Sequence, residues 1–516
     1  MIKHRRSILH LLLMAVFTSL FIKGCTSKSE SLIPAQANYC ERLRPTDSIR
    51  LAQWLPTILP NSEKETAAYV LEDGGTSLVA RAWFTAHAEK SIDIQYFIFS
   101  MDNIGLIGCD YLVKAADRGV QVRILIDDIM VDAELEDVLK LDSHDNITIK
   151  IYNPGINLGK SIYSKITKLA TDFRSANQRM HNKTFIVDDI VTITGGRNIA
   201  DEYFDYDHEY NFRDRDVLLL GKETQSVSKS FEQFWTSDLS VPAISLSQDS
   251  IDKAEVRFDR LHEYACNPEN FWESVRLKVE AFPATLKNLQ SQNQLIRPDS
   301  LIFVSDLPGK NDGTSGLSGG GITTTALIEL IEGAKYTIDI QTPYLITTDL
   351  GKALFRAAAD RGVKVRVLTN SLASTDNVEA FSSYQSDREE LLKTGIRIFE
   401  FKPDAAIRKQ VMSGALQKEI DFAPIFGLHA KSMVIDGKIT IIGTFNLDPR
   451  SANLNTECIV VMYSDSIAEG VLHGMEEEYK PENAWETTLE FNPDSQVGRL
   501  KRAKTWTRKI LPKAIL

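Results

Sequence analysis

His181 and Lys183 in "HNKTFIVD", and His429 and Lys431 in "HAKSMVID", are the residues in this chain best equipped for chemistry. Both stretches follow the pattern H-x-K-x-x-x-x-D, which ends at Asp188 in the first copy and Asp436 in the second. An imidazole can act as nucleophile, acid or base, and an ammonium supplies positive charge. On a strand, residues two apart face the same side, so His181 points with Lys183 and His429 with Lys431. Each copy also carries an Asn seventeen residues after its His, Asn198 and Asn446.

The residues after each Lys, "TFIVDDIVTIT" and "SMVIDGKITII", read as hairpins. Asp436-Gly437 is a strong two-residue turn signal, and Asp188-Asp189 is a weaker one. Folded about those turns, His181 faces Gly196 and His429 faces Thr444, with Asn198 and Asn446 just beyond. Each copy then gathers His, Lys and Asn at one hairpin end. Such a donor-rich, basic cluster suits a phosphate. Gly195, Gly196 and Gly443 let the backbone approach it closely, although turn geometry alone would also explain them. Asp188 and Asp436 fall at the turn ends and read as structural supports.

One copy supplies one His, but phosphoryl substitution through a covalent intermediate uses two. One attacks phosphorus while the other protonates the leaving alcohol and later deprotonates the incoming one. Two copies facing each other would complete a single site. A degenerate, inactive duplicate would usually have lost His or Lys from one half, and both are intact here.

The repeat is longer than the motif. "KSIDIQYFIFS" from Lys90 matches "KYTIDIQTPYL" from Lys335, and "AADRGVQVRILID" from Ala115 matches "AADRGVKVRVLTN" from Ala358. The chain divides into homologous halves at 51–245 and 301–480, joined by a helical insertion at 246–300. A duplication of this length reads as two whole lobes. Each half alternates strand and helix, which implies α/β lobes with helices on a mixed, mostly parallel sheet. A pseudo-two-fold between the lobes would give one shared active site. "GTSGLSGGGIT" from Gly313 lacks the Lys-Ser/Thr of a nucleotide-binding loop.

The whole chain narrows the function classes. Its 516 residues carry a net charge of -11, which argues against a nucleic-acid partner. Residues 1–24 combine a basic start, "MIKHRR", with an apolar run and read as a signal peptide. Ile22 and Gly24 before Cys25 fit a lipidation site, whereas Lys23 departs from the small residue usual there. An uncleaved membrane anchor is the other reading of this segment. Either places the body at a membrane, on the extracytoplasmic side of a bacterial envelope. Residues 25–50 form a linker. The five cysteines match no zinc pattern. Cys109 and Cys458 read as core residues, and a Cys40–Cys266 disulfide is compatible with the sequence. Two segments could touch lipid: "GKSIYSKITKLATDFR" and the basic tail 481–516, with "GRLKRAKTWTRKILPKAIL". Both also read as solvated helices or packed ends.

The doubled motif resembles the phospholipase D superfamily, over nearly the whole chain after the leader. "RMHNKTFIVDDIVTITGGRNIADEYF" and "LHAKSMVIDGKITIIGTFNLDPRSANLNTE" are similar to bacterial cardiolipin synthases of the C type. "TDFRSANQRMHNK", "LTNSLASTDN" and the end "ILPKAIL" share that likeness. The resemblance implies a phosphohistidine intermediate, no cofactor and no obligatory catalytic metal. It implies that His181 attacks and that His429 is the general acid and base. It also implies an acidic residue behind each His, at Asp214 and Glu457, with Asp216 competing with Asp214. A carboxylate there would fix the tautomer and favour the imidazolium.

Phosphatidyl transfer making cardiolipin is the expected reaction. Its partners would be phosphatidylglycerol, phosphatidylethanolamine and the membrane surface, with a further protein partner left open. The alternatives are a phospholipase D-type hydrolase releasing phosphatidic acid, a nucleic-acid phosphodiesterase, and an inactive membrane-tethered lipid-binding protein.

Overall fold

The computed structural model describes residues 49–132, 135–155, 157, 177–247, 256–271, 273–310, 318–412, 424–509 and 513. The leader 1–24, Cys25, Cys40, most of the linker and the segment "GKSIYSKITKLATDFR" lie outside the described residues. So do the first residues of the Gly/Ser-rich run and most of "ILPKAIL".

The first half contributes β1 (Thr66–Leu71), β2 (Ser91–Ser100), β3 (Gln121–Asp132), β4 (Ile147–Tyr152), β5 (Thr184–Val187), β6 (Val191–Gly195), β7 (Tyr210–Arg213), β8 (Asp216–Gly221) and β9 (Ser240–Pro242). The second contributes β10 (Ser300–Ser305), β11 (Thr337–Gln341), β12 (Lys364–Asn370), β13 (Arg397–Phe401), β14 (Ile425–Leu428), β15 (Ser432–Ile435), β16 (Ile439–Gly443), β17 (Cys458–Tyr463) and β18 (Ala484–Thr487). Two eight-stranded sheets form in the orders β1-β8-β6-β5-β2-β3-β4-β9 and β10-β17-β16-β15-β11-β12-β13-β18. Strand for strand, these are the same topology. The chain is α/β with two homologous lobes, as the internal repeat implies.

The sheets are mixed but not mostly parallel. Only β2–β3 and β3–β4 are parallel in the first sheet, and only β11–β12 and β12–β13 in the second. Parallel neighbours need a crossover, and only these strands are joined by helices such as Asn103–Asp117 and Asp349–Asp360. The motif hairpins and the strands beyond them turn back antiparallel.

The hairpin register is one residue longer than a two-residue turn would give. Val187 pairs with Val191, and Ile435 pairs with Ile439. Asp188 and Asp189, like Asp436 and Gly437, take left-handed conformations with φ between 53° and 64°. A third loop residue, Ile190 or Lys438, then returns its N–H to the carbonyl of Val187 or Ile435. The His residues therefore do not face Gly196 and Thr444 as a two-residue turn requires.

The insertion is helical where it is described: Asp259–Cys266, Glu273–Glu280 and Phe282–Ser291. Its Leu261, Phe271, Val275 and Leu286 join Trp83 and Phe84 in the first lobe's core. The second sheet runs past residue 480, because β18 pairs with β13. The tail then forms a helix, Arg499–Arg508, with Thr505 buried and Leu500 and Trp506 exposed. Among the described residues, no helix is long and apolar enough to cross a membrane.

The lobes meet through an apolar core and through backbone pairing. Val217 and Leu219 of β8 share a buried cluster with Val434, Ile442 and Val460 of the second sheet. β7 and β14 form a two-stranded parallel ribbon between the halves, and Met180 bridges to Thr456.

Candidate active site

The inter-lobe backbone pairings place the site. In the β7–β14 ribbon, Arg213 pairs with Leu428, so the next residues, Asp214 and His429, emerge side by side. The His429 N–H donates to the Arg213 carbonyl at 2.8 Å. At the other bridge, the His181 N–H donates to the Thr456 carbonyl at 3.0 Å, which sets His181 beside Glu457. Each His thus meets a carboxylate from the opposite lobe. His181 Nδ1 lies 2.8 Å from Glu457 Oε2, and His429 Nδ1 lies 2.6 Å from Asp214 Oδ2. With Nδ1 engaged, Nε2 of His181 is the ring atom left to face a substrate, whereas Nε2 of His429 also has Lys431 Nζ beside it at 3.1 Å.

Asp214, rather than Asp216, stands behind His429. Asp216 is held instead by Ser77, Arg81 and Arg197 in the first lobe's interior. Gly196 is required beside Asp214, because a Cβ there would lie 2.0 Å from Asp214 Oδ1. A Cβ on Gly443 would lie 2.3 Å from the Cys458 carbonyl oxygen. Both glycines, and Gly195 with them, make room for protein neighbours rather than for an approaching phosphate.

His181 and Lys183 lie just ahead of β5, and His429 and Lys431 just ahead of β15, so neither pair sits on a strand as expected; each Lys side chain instead folds back toward its own His. Lys183 Nζ donates to the His181 carbonyl at 2.9 Å, and Lys431 Nζ sits 2.8 Å from His429 Nδ1. Aromatic rings wall the pair. Phe97 meets His181 edge-on at 5.0 Å, and Tyr203 and Phe212 pack on His429 at 5.1 and 4.7 Å.

Both imidazoles are 6 % exposed, and the carboxylates are fully buried. Burial lowers the His181 pKa to about 4; Glu457 opposes the shift, and Lys183 adds to it. Burial and then Lys431 lower His429 to about 3, against the pull of Asp214. Glu457 and Asp214 each favour the imidazolium, as expected, but the net shift runs the other way. Desolvation and two neighbouring ammonium groups outweigh one carboxylate. Burial likewise lowers Lys183 to about 7, with Lys431 as the second cause, and Lys431 to about 8. Burial alone would raise Asp214 and Glu457, but the adjacent His and Lys charges hold both below the usual carboxylate range.

The Asn pair is less alike than its spacing. Asn198 accepts the Ile98 N–H at 3.1 Å through its side-chain oxygen. The Asn446 side-chain oxygen is buried without a hydrogen-bond partner. Asp188 and Asp436 lie at the far hairpin ends. Asp188 accepts the N–H groups of Glu89, Lys90 and Ser91, and Asp436 those of Lys335, Tyr336 and Thr337. Each carboxylate ties its hairpin to the start of the adjacent strand.

Sequence reasoning missed Thr444, whose hydroxyl donates to Glu457 Oε2. The signal was a Thr standing where the first copy has Gly196, two residues before the Asn. It also missed the aromatic walls, which no motif marks. Cys109 and Cys458 are buried core residues. Cys266 is described but Cys40 is not. Among the described residues, no group of three or more His, Cys, Asp and Glu could hold a metal ion.

Comparison with known proteins agrees with this architecture. The family model described as "Cardiolipin synthase, PLD-like domain" matches twice, over residues 85–235 and 327–478. Cardiolipin synthase C of Escherichia coli K12 is 32% identical over 424 residues, covering 81% of this chain and 86% of that protein. An uncharacterized protein of Helicobacter pylori J99 is also 32% identical, over 88% of this chain and 90% of its own length. The crystal structure of phosphatidylserine synthase from Haemophilus influenzae Rd KW20 superposes with a TM-score of 0.55 at 13% identity. It covers 90% of this chain and 100% of that one, a likeness of fold. With a matching domain in each lobe, the chain belongs to the phospholipase D superfamily, as a phosphatidyltransferase-like enzyme of phospholipid metabolism.

Proposed function

We propose that the protein transfers a phosphatidyl group between phospholipids and makes cardiolipin. The observation that carries this reading is the pair of His residues, each braced through Nδ1 by a carboxylate of the opposite lobe. His181 is the nucleophile. Its lowered pKa leaves Nε2 unprotonated and available at neutral pH.

In the first step His181 Nε2 bonds to phosphorus, the bond from phosphorus to the leaving alcohol breaks, and His429 gives that alcohol its proton. In the second, a phosphatidylglycerol hydroxyl gives its proton to His429 as its oxygen attacks phosphorus. The N–P bond breaks and cardiolipin leaves. His429 must be protonated for the first step. An anionic phosphodiester beside Lys183 and Lys431 offsets their repulsion and raises the His429 pKa in the complex. Asp214 and Glu457 then stabilise the charged rings. Asn446 would offer its side-chain N–H groups to the phosphate, and Asn198 holds its loop to β2.

The test is a product assay in detergent–lipid micelles. Labelled phosphatidylglycerol is supplied with and without phosphatidylethanolamine, and the lipids are separated. Cardiolipin that disappears in His181→Ala supports the transferase and names its donor. Phosphatidic acid alone makes water the acceptor and the enzyme a hydrolase.

The body is held at the extracytoplasmic membrane face by acylation of Cys25. The exposed Leu500 and Trp506 on the basic helix Arg499–Arg508 provide a second lipid contact. Cys25→Ser should release the protein from membranes or block its processing. Unchanged mass and fractionation would remove the lipid anchor.

A further inference from the structure

We infer that the second lobe contains a binding site for one fatty acyl chain of a phospholipid, in a cavity of about 530 Å³ between the helices Ile322–Gly333 and Asp349–Asp360. This inference rests on the phospholipid reading above and deepens it.

The cavity has a counterpart in the first lobe, and the comparison shows what differs. Counting back from the matched strands "SIDIQ" and "TIDIQ", Arg81 corresponds to Leu327. Counting back from "AADRG", Ile107 corresponds to Leu350 and Tyr111 to Leu354. Ile199 bridges to Phe99, and Leu447 bridges to Leu345, so these residues occupy the same place in the two lobes. Counting on from there, Phe204 corresponds to Ala452. Arg81, Ile107, Tyr111, Ile199 and Phe204 line a space of about 60 Å³ in the first lobe, and Leu327, Leu350, Leu354, Leu447 and Ala452 one of about 530 Å³ in the second.

Two causes account for the difference. The first is side-chain size: Phe204 and Tyr111 give way to Ala452 and Leu354. In the first lobe Arg81 also reaches across to Asp216 and lies over the Phe204 ring. The second is the roof. The insertion helices cover the first lobe's helix pair, with Phe271 against Tyr111 at 6.1 Å and Tyr264 bonded to Asn103. Accordingly Ile107 is 1 % exposed, whereas Leu350 is 55 % exposed. Among the described residues, nothing takes the place of the insertion over the second lobe.

The cavity also lies beside the candidate active site. Leu327, Phe445 and Leu447 line both it and the smaller space against Lys431. Phe445 and Leu447 flank Asn446, and Thr444 next to them holds Glu457 behind His181. Polar phosphate chemistry and an apolar cavity of ligand-binding size therefore adjoin. A phospholipid has that same division, with a phosphate at one end and an acyl chain beginning a few bonds away. An open apolar cavity exposed to water is costly, and an acyl chain removes that cost.

The test is photolabelling of the full-length protein in micelles with phosphatidylglycerol that carries a diazirine near the end of one acyl chain. Adducts are mapped by peptide mass spectrometry. They are expected on Ile322–Gly333 and Asp349–Asp360. Ala452→Phe and Leu354→Tyr, which copy the first lobe, should each reduce them about tenfold, the scale of losing a few buried methylenes. Adducts confined to other segments, or undiminished in both folded variants, would sink the proposal. The wild-type map decides alone if neither variant folds. Adducts here in a protein without turnover would keep the acyl site and remove the transferase. Turnover with no adducts here would keep the transferase and remove the site.

Discussion

His181 Nδ1 lies 2.8 Å from Glu457 Oε2, across the lobe boundary and 276 residues away in sequence. His429 and Asp214 repeat the relation in the other direction. Neither lobe holds a complete His–carboxylate pair of its own. The site exists only when the two sheets are docked.

Neutralising either carboxylate should therefore disable the site while the fold survives. Glu457→Gln and Asp214→Asn are each expected to reduce kcat by about 10²- to 10⁴-fold, the range found when a His loses its orienting acid. Steady-state rates beside circular dichroism measure this. Wild-type rates in either variant would show that its carboxylate is idle.

The two His residues should fail in different ways. His181→Ala should form no covalent adduct. His429→Ala should still accept the phosphatidyl group, at a rate lower by about 10²- to 10⁴-fold. Rapid quench with labelled phospholipid, followed by peptide mapping, separates them. An acid-labile label on residue 429 in the wild type would reverse the assigned roles.

Asp216 should matter for folding rather than for rate. Its carboxylate balances Arg81 and Arg197 inside the first lobe. Asp216→Asn leaves buried cations unpaired, at a cost of about 3–5 kcal/mol. Thermal unfolding should show the loss, and kcat per folded molecule should change far less than in Asp214→Asn.

Asp188→Ala and Asp436→Ala each strand three backbone N–H groups and should destabilise by about 1–3 kcal/mol. Burial opposes the shift at Asp436, but its backbone hydrogen bonds hold its pKa below the usual value. A carboxylate depressed on folding contributes stability above its unfolded pKa and loses it as pH falls through the folded one. The gap between wild type and Asp436→Ala, followed by thermal melts, should narrow in acid.

The pH dependence of kcat/KM should be set by the buried cluster. The free enzyme needs His181 unprotonated and its lysines charged. Activity should fall below pH about 4 as His181 takes a proton; because His429 must take up its proton with the substrate, kcat/KM should also decline as pH rises from there, and more steeply above pH about 7 to 8 as Lys183 and Lys431 lose theirs. Stability follows the same groups. Between pH 6.5 and about 4 an unfolded His binds a proton that folded His181 refuses, so the melting temperature should drop as pH falls through that window. A shallower slope in His181→Ala than in the wild type, with His429 supplying what remains, would identify the group.

What the sequence alone determined is local or repeated. The two H-x-K-x-x-x-x-D motifs, each with its Asn seventeen residues after the His, are legible in the chain itself, although the strands expected to align His with Lys begin only at Thr184 and Ser432. The doubled motif, the matched strands and the matched helices made two like lobes legible before any coordinates. The tertiary structure decided the rest. Which carboxylate backs which His follows from the β7–β14 and Met180–Thr456 pairings, which join segments far apart in the chain. The hairpin register depended on left-handed residues at Asp188, Asp189, Asp436 and Gly437, which added a loop residue. The direction of the His shifts depended on how completely the docked lobes exclude water, because burial and the paired lysines together outweigh each carboxylate. The open cavity beside Leu354 likewise needed the tertiary structure. Its existence depends on where the insertion helices pack, and they roof one lobe and leave the other bare.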